Sequence, residues 1–358
     1  MKKYLIKDLL KVNRGSSPRP IIDFLSDSGY RWLKISDFNM YDRYVYNTKE
    51  YIKEEGLKNT RHLPAGTLIL TNSATPGIPI FLGKDMCLHD GFLYFTEINT
   101  DIIDINYLYY WFLYNRRLIV NQANGSVFKN LKKEIVENFE IELPSLDYQM
   151  KVVKVLDNIN MKIELNNGIN NNMYELIRCN YNLLIKDCTW EKVELERIAN
   201  ITSGNRPSKK LENGEYPVIG ANGIMAKTND YNFNEDLIIT GRVGTLGIVK
   251  RYNNKIWASD NTLVIQTKYL NYVESFLKTI DYYSLNRGST QPLLTQGDLK
   301  KQTILFNEEE IINFEHENQI YVDEIRNNEK ENENLSKLRE ALLPKLMSNE
   351  INLDSIDV

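Results

Sequence analysis

Two stretches of this chain, far apart, follow one plan. Residues 286–306, NRGSTQPLLTQGDLKKQTILF, and residues 124–144, NGSVFKNLKKEIVENFEIELP, each carry a Gly-Ser pair, then Leu-Lys-Lys, then an apolar run. The echo extends further. Ile6, Leu9, Val12, Gly15 and Pro18 match Leu195, Ile198, Ile201, Gly204 and Pro207 at a constant offset of 189. GTLILT (66–71) matches EDLIIT (235–240), and HDGFLYF (89–95) matches SDNTLVI (259–265) with Asp90 on Asp260. Between these blocks lie NSATPGIPIFLG (72–83) and GRVGTLGIVKRY (241–252), each read as a glycine-bearing turn followed by a second strand. Ordered agreement of five blocks makes chance a poor explanation. The chain is two copies of one unit, with divergent loops on a shared frame. A length of 358 residues suits two such units, since it exceeds what one core usually serves.

The local readings follow from spacing. The three-residue spacing of Ile6, Leu9 and Val12 predicts a short helix ending near Gly15. The compact runs at 66–71 and 235–240 predict buried strands. The aromatic run Tyr107, Tyr109, Tyr110, Trp111, Phe112 and Tyr114 predicts a helix buried beneath a sheet, a base-stacking platform being the alternative. Asp298 is placed to cap the helix that holds Leu-Lys-Lys.

A heptad-like seam follows each copy. Val152, Leu156, Ile159, Ile163, Asn166, Asn170, Met173 and Ile177 alternate in steps of four and three, and Asn180 and Leu184 continue them. A looser version runs through Val322, Ile325, Asn328, Asn332, Leu335, Leu342 and Leu346. Gln149 and Gln319 fall at matching places near the two helix starts. Neither seam is apolar throughout, so a lone helix of this kind is marginal. Two of them, one per repeat, can pair antiparallel, with the central asparagines fixing the register. The alternative is that each helix packs only on its own domain. Gly168 weakens the first helix, and Pro344 should end or kink the second.

Composition excludes several classes. Hydrophobic residues make up 42% and charged residues 26%, ordinary for a soluble globular chain. No apolar run is long enough to cross a bilayer, and the start MKKYLIKDLLKVNRG lacks the apolar core of a signal peptide. Cys87, Cys179 and Cys188 are scattered and odd in number, which favours a reduced, cytoplasmic setting. The net charge of −4 is concentrated at the end, where residues 314–358 hold 11 acidic residues against five basic. Any basic surface is therefore a local patch. Catalytic signatures are missing: no phosphate loop, no dinucleotide fingerprint, no nucleophile elbow, and no Cys/His spacing for a metal around His62, His89 or His316.

These residues resemble the specificity (S) subunit of a type I restriction–modification system. The resemblance rests on RGSSPRP (14–20), SGNRPS (203–208), FNEDLIITGRVGTLGIV (233–249), RGSTQPLLTQGDLKKQTI (287–304) and LSKLREALLPKLMSNEINL (335–353). It implies an α+β fold of two tandem target-recognition domains, 1–146 and 188–313, each followed by a long helix, 147–187 and 314–358. The helices pair as an antiparallel coiled coil with pseudo-two-fold symmetry. The resemblance also implies a subunit without catalytic activity. It would read a bipartite, asymmetric sequence in double-stranded DNA, beside two methyltransferase (M) subunits that methylate adenine and restriction (R) subunits that cut. S-adenosylmethionine, ATP and Mg are then expected on the partners and none on this chain. Helix length would set the spacer: about 37 residues at about 1.5 Å each span about 55 Å, on the order of 16 base pairs. Two rival readings are a single-chain restriction–methylation enzyme and a helical scaffold that does not bind DNA.

Side chains that reach base edges supply sequence, and those on the backbone supply affinity. Loops that differ between the copies are the candidates. In the first copy these are Arg14, Ser16, Ser17, Arg19, Asn72, Ser73, Thr75, Asn124, Ser126 and Lys129. In the second they are Asn205, Arg206, Lys209, Asn222, Arg242, Thr245, Arg287, Ser289, Thr290 and Gln291. Arginine suits guanine, asparagine and glutamine suit adenine, and serine and threonine suit phosphate. The alternative for each is a solvated turn.

Overall fold

Residues 1–38, 43–123, 130–207 and 209–353 are described by the structure, a computed structural model. The chain divides into two units, Met1–Ile163 with Asn332–Val358, and Glu164–Glu331. Each of the two long helices, Leu146–Ile185 and Glu308–Met347, therefore contributes one part to each unit.

In the first unit the main sheet runs in the order Lys11–Arg14, Phe92–Thr96, Leu68–Thr71, Pro79–Leu82 and Tyr44–Val45. Leu68–Thr71 is buried on both faces, which is why its sequence is a continuous apolar run rather than an alternation. Helix Ile105–Tyr114 packs on this sheet, with Phe112 stacked on Phe95 and Tyr109 beside Phe81. Asp104 starts that helix by accepting hydrogen bonds from the backbone N–H groups of Asn106 and Tyr107. Tyr107 to Phe112 are buried, so the aromatic run is core. A smaller sheet sets Met86–Leu88 parallel to Tyr30–Leu33, and Lys2–Leu5 pairs antiparallel with Glu140–Leu143.

The second unit repeats this connectivity. Its main sheet runs Asn200–Ser203, Thr262–Gln266, Leu237–Gly241 and Val249–Tyr252. Its smaller sheet sets Trp257–Ala258 parallel to Tyr216–Gly220, and Glu191–Glu194 pairs antiparallel with Thr303–Phe306. The register corrects one alignment. Phe92 faces Thr71 and Thr262 faces Gly241, so the equivalent strands are offset by 170 rather than the 169 that matching GTLILT to EDLIIT gives. A strand buried on both faces loses no apolar pattern in a one-residue slip, so similarity alone misplaces it.

The spacing of Ile6 to Pro18 is likewise not one helix. Ile6–Leu9 is a single helical turn, and Val12 already lies in the strand Lys11–Arg14. Gly15 then passes so close to the segment after Met86–Leu88 that a Cβ would overlap the His89 carbonyl oxygen. At Gly204, a Cβ would overlap that of Ser259.

The long helices pair antiparallel within each unit. In the second unit Asn180 donates to Asn318 (2.9 Å), Asn328 donates to Asn170 (2.8 Å) and Asn166 donates to Glu331 (2.7 Å). In the first unit Arg339 donates to Asn160 (2.7 Å), and the Tyr148 hydroxyl donates to the Ile351 carbonyl (2.9 Å). One number rises as the other falls, as antiparallel neighbours require. Val152, Leu156, Ile159, Asn166, Asn170, Ile177, Val322, Ile325, Asn328 and Leu346 are buried. Ile163, Met173, Asn332, Leu335 and Leu342 are half-buried. A fully buried aliphatic such as Leu156 contributes about 1.5–3 kcal/mol. The first helix continues through Gly168, whose Cα faces open space. The second starts at Glu308, upstream of 314. It runs three residues past Pro344 to Met347, the proline removing one N–H donor from the last turn without ending the helix.

Candidate nucleic-acid interface

In the first unit the candidate residues gather around Asp90. The Ser17 hydroxyl donates to its Oδ1 (2.9 Å), and Arg14 Nε donates to its carbonyl (2.9 Å). The Arg14 and Arg19 guanidinium groups each lie 3.8 Å from its Oδ2, and His89 Nε2 lies 3.1 Å from Oδ1. His89 Nδ1 accepts from the Gly91 N–H (2.9 Å), so the proton sits on Nε2. Burial pushes the Asp90 carboxyl up, but Ser17, His89 and Arg14 outweigh it and hold it below the usual carboxylate range. Burial also lowers the His89 imidazole; Asp90 opposes this, while Lys34, Arg14 and Arg19 add to it. Arg14 and Arg19 keep 57% and 84% of their side chains exposed, so both are tethered yet open to an anion.

Not every candidate joins this cluster. Ser16 turns away to donate to the Asn59 carbonyl (2.8 Å). Asn72 is only 4% exposed, too buried to reach a base without rearrangement. Ser73 lies beside Gly91, and Thr75 is exposed with its carbonyl held by the Thr71 hydroxyl (2.6 Å). Asn124, Ser126 and Lys129 lie outside the described residues.

In the second unit two loops are laced together. Arg242 donates its N–H to Asn261 and accepts at its carbonyl from Leu294, both at 2.8 Å. Gly244 N–H donates to Pro292, and Arg287 N–H donates to Leu293. Asn286 Oδ1 accepts from the N–H groups of both Gly288 and Leu293 (2.9 Å each), which closes the tight turn. Ser289, Thr290 and Gln291 are exposed at its tip, and the Gln291 amide lies beside Gly244. Thr245 is exposed in the facing loop. Asn205 and Arg206 are exposed beside Ala258, whose carbonyl accepts from the Asn205 N–H (3.0 Å), and Lys209 is exposed further on. Asn222 sits at the turn of the hairpin formed by Tyr216–Gly220 and Gly223–Thr228.

Arg287 is tethered, with 65% of its side chain exposed. Its guanidinium forms two hydrogen bonds to Asp298, at 2.9 and 3.2 Å. Asp298 is not the helix cap either: Thr295 caps Gln296–Lys300 by accepting from the Asp298 N–H, and the Thr295 hydroxyl donates back to Asp298 (2.7 Å). Arg287 and Thr295 together hold the Asp298 carboxyl below the usual range. His89, Asp90, Asn286 and Asp298 organise the two clusters, and none of them was among the candidate DNA contacts. The shared Asp90 and Asp260 were the available signal for the first pair. Among the described residues, no group of three or more His, Cys, Asp or Glu is placed to hold a metal ion, and no helix is long and apolar enough to cross a membrane.

Comparison with known proteins bears on this geometry. Residues 1–173 and 188–342 match the model of the type I restriction modification DNA specificity domain. The chain is 26% identical to the type I restriction enzyme MjaIX specificity subunit of Methanocaldococcus jannaschii, over 98% of this chain and 93% of that one. It is 20% identical to the EcoprrI specificity subunit of Escherichia coli, over 78% of this chain and 76% of that one. Its fold is similar to the crystal structure of the type I restriction–modification S subunit from M. genitalium. The TM-score is 0.58 at 15% identity, covering 96% of this chain and 95% of that one.

Proposed function

The chain belongs to the type I restriction modification DNA specificity domain family, and from that premise we propose that it reads a bipartite, asymmetric DNA sequence, one half with each unit. The observation that carries this reading is one loop scaffold, built twice, with different side chains in the same backbone setting. Asn72 and Arg242 stand at equivalent positions of it. Two frames alike in connectivity but unlike in the loop side chains they carry suit two unlike half-sites.

The chain's role is recognition, and the chemistry belongs to partners. We propose two methyltransferase subunits that methylate adenine and restriction subunits that cut, with S-adenosylmethionine, ATP and Mg bound by those partners, in the cytoplasm. Residues exposed on the two loop clusters, Arg14 and Arg19 in the first unit and Thr245, Ser289, Thr290 and Gln291 in the second, with the half-buried Arg242, are the proposed DNA contacts.

The test is to map methylated adenines in the source genome with this gene intact and deleted. Loss of one split motif on deletion supports the reading. Gel-shift and methylation assays on the purified chain, with and without the co-purified methyltransferase, complete it. Robust methyl transfer by the chain alone would overturn the assignment of chemistry to partners.

A further inference from the structure

The second unit carries a hairpin, Tyr216–Gly220 with Gly223–Thr228, whose two strands differ in character. On the inner strand Val218 and Ile219 are fully buried in the core. On the outer strand, beside the turn, Ile224 is 68% exposed and Met225 is 46% exposed. Met225 is the extra residue that a register shift leaves on this strand, which is the edge of its sheet, so both exposed side chains lie at the sheet margin. That shift, opposite Val218 and Ile219, bends the ribbon at the exposed residues. The turn is two residues, Ala221 and Asn222, closed by the Gly220–Gly223 pair, with Gly223 at a φ of 111°.

Position and charge say what this tip meets. Ala221 Cβ lies 3.1 Å from where a Cβ on Gly241 would sit, so the turn abuts the loop that carries Arg242. The Ser259 N–H donates to the Ile219 carbonyl (3.0 Å), which ties the same ribbon to the segment bearing Asp260. Lys250 Nζ lies 3.6 Å from where a Cβ on Gly223 would sit. Residues 216–229 include Lys227 and no carboxylate. An apolar tip, flanked by lysines and continuous with the proposed reading loops, matches a polyanion with an apolar interior.

We infer that this hairpin enters a groove of duplex DNA at the second half-site, where Ile224 and Met225 act as an apolar wedge against a base step. Lys250 and Lys227 meet the flanking phosphates. Such wedges partly unstack the step they enter, and the unstacking energy depends on which bases stack there. The hairpin thereby adds specificity at positions where no hydrogen bond is made. The inference rests on the proposal that this unit reads DNA, and it names a specificity element within it.

The experiment uses the full chain with its co-purified methyltransferase and a duplex bearing the mapped motif, with 2-aminopurine at each position of the second half-site in turn. Wild type should raise 2-aminopurine fluorescence at one step. The double variant Ile224→Ser, Met225→Ser should abolish that rise and weaken binding on the order of tenfold. Its thermal melting and its association with the methyltransferase in the absence of DNA should be unchanged. Lys250→Gln should lower the salt slope of binding by about one. Unchanged DNA binding and fluorescence in the double variant overturn the wedge. Weakened methyltransferase association with normal DNA binding also overturns it and makes the hairpin a protein-docking element. Failure of wild type to bind the duplex at all sinks the DNA reading itself, which separates the two ideas.

Discussion

Asn72 and Arg242 occupy the same place in two copies of one loop. The N–H of Asn72 donates to Gly91 (2.9 Å) and that of Arg242 to Asn261 (2.8 Å). Their carbonyls accept from Leu131 (2.7 Å) and Leu294 (2.8 Å). Their side chains each reach the backbone carbonyl of an aspartate, Asp90 and Asp260, at 3.3 Å. The backbone is thus shared, and the side chain is where the copies diverge. Arg242→Ala should therefore weaken recognition of one half-site only, by about 1–3 kcal/mol if the guanidinium meets a guanine. Binding to duplexes mutated in either half-site reads this out. Equal loss for both halves points to a folding defect, and wild-type binding makes Arg242 a bystander.

The same duplication predicts a matched pair of steric defects. A Cβ at Gly204 would overlap the Ser259 carbonyl oxygen, and one at Gly15 would overlap that of His89. Both obstacles are backbone, which cannot rotate aside. Gly204→Ala should cost about 1–3 kcal/mol and impair the second half-site. Gly15→Ala should do the same for the first. Denaturant titration with half-site binding distinguishes them, and a fully stable Gly204→Ala chain would show that the close approach is absent in solution.

What the sequence made legible was what buried polypeptide cannot disguise. Contiguous apolar runs gave the strands, and the steps of four and three gave two helices that do pair. The polar residues of the seam proved to be partners of each other, Asn170 with Asn328 and Asn180 with Asn318. Assignments resting on a single side chain's geometry were less legible. Gln149 and Gln319 look equivalent, yet Gln149 is buried and ties the start of helix Ile105–Tyr114 through the Asp104 N–H, while Gln319 pairs with Asp323 on its own helix. In the second unit Glu315 does the related work, accepting from the N–H groups of Asn271 and Tyr272. Burial raises the Glu315 carboxyl, against those two hydrogen bonds. Likewise Arg287 reads as a free cation until Asp298, eleven residues on, is seen to hold it. Spacing reports periodic burial, whereas these pairings depend on where loops return.

The Asp90 cluster should make the first unit acid-sensitive. The carboxyl is held below its ordinary value in the folded chain, so its ionised form binds fewer protons than the unfolded chain does in the same range. The contribution is complete above the ordinary carboxylate value of about 4 and is lost as pH falls through the depressed folded value. Asp90→Asn should lower stability at neutral pH and flatten its decline below about pH 4. Tryptophan fluorescence suits the measurement, because Trp32 packs edge-on to His89 at 5.8 Å. Parallel acid profiles for wild type and variant would remove Asp90 from the account.

The buried asparagine pair of the second unit gives the sharpest test of the helix pairing. Asn170 and Asn328 are 5% and 7% exposed, and the Asn328 amide donates to the Asn170 carbonyl at 2.8 Å. Removing one partner strands the other's polar group away from water. Asn170→Ala and Asn328→Ala should each cost about 1–3 kcal/mol. Replacing both with leucine removes two polar groups from a seam that otherwise buries Ile177, Val322 and Ile325. That double variant should be as stable as wild type or more so. The coupling between the sites, read from a double-mutant cycle in denaturant, should fall within about 0.5–3 kcal/mol. The register would then rest on contacts such as Asn180 with Asn318 and Asn166 with Glu331, because leucine tolerates a shift that an asparagine pair forbids. Single variants at wild-type stability, or strictly additive losses, would mean that the two side chains do not meet and that the antiparallel register is set elsewhere.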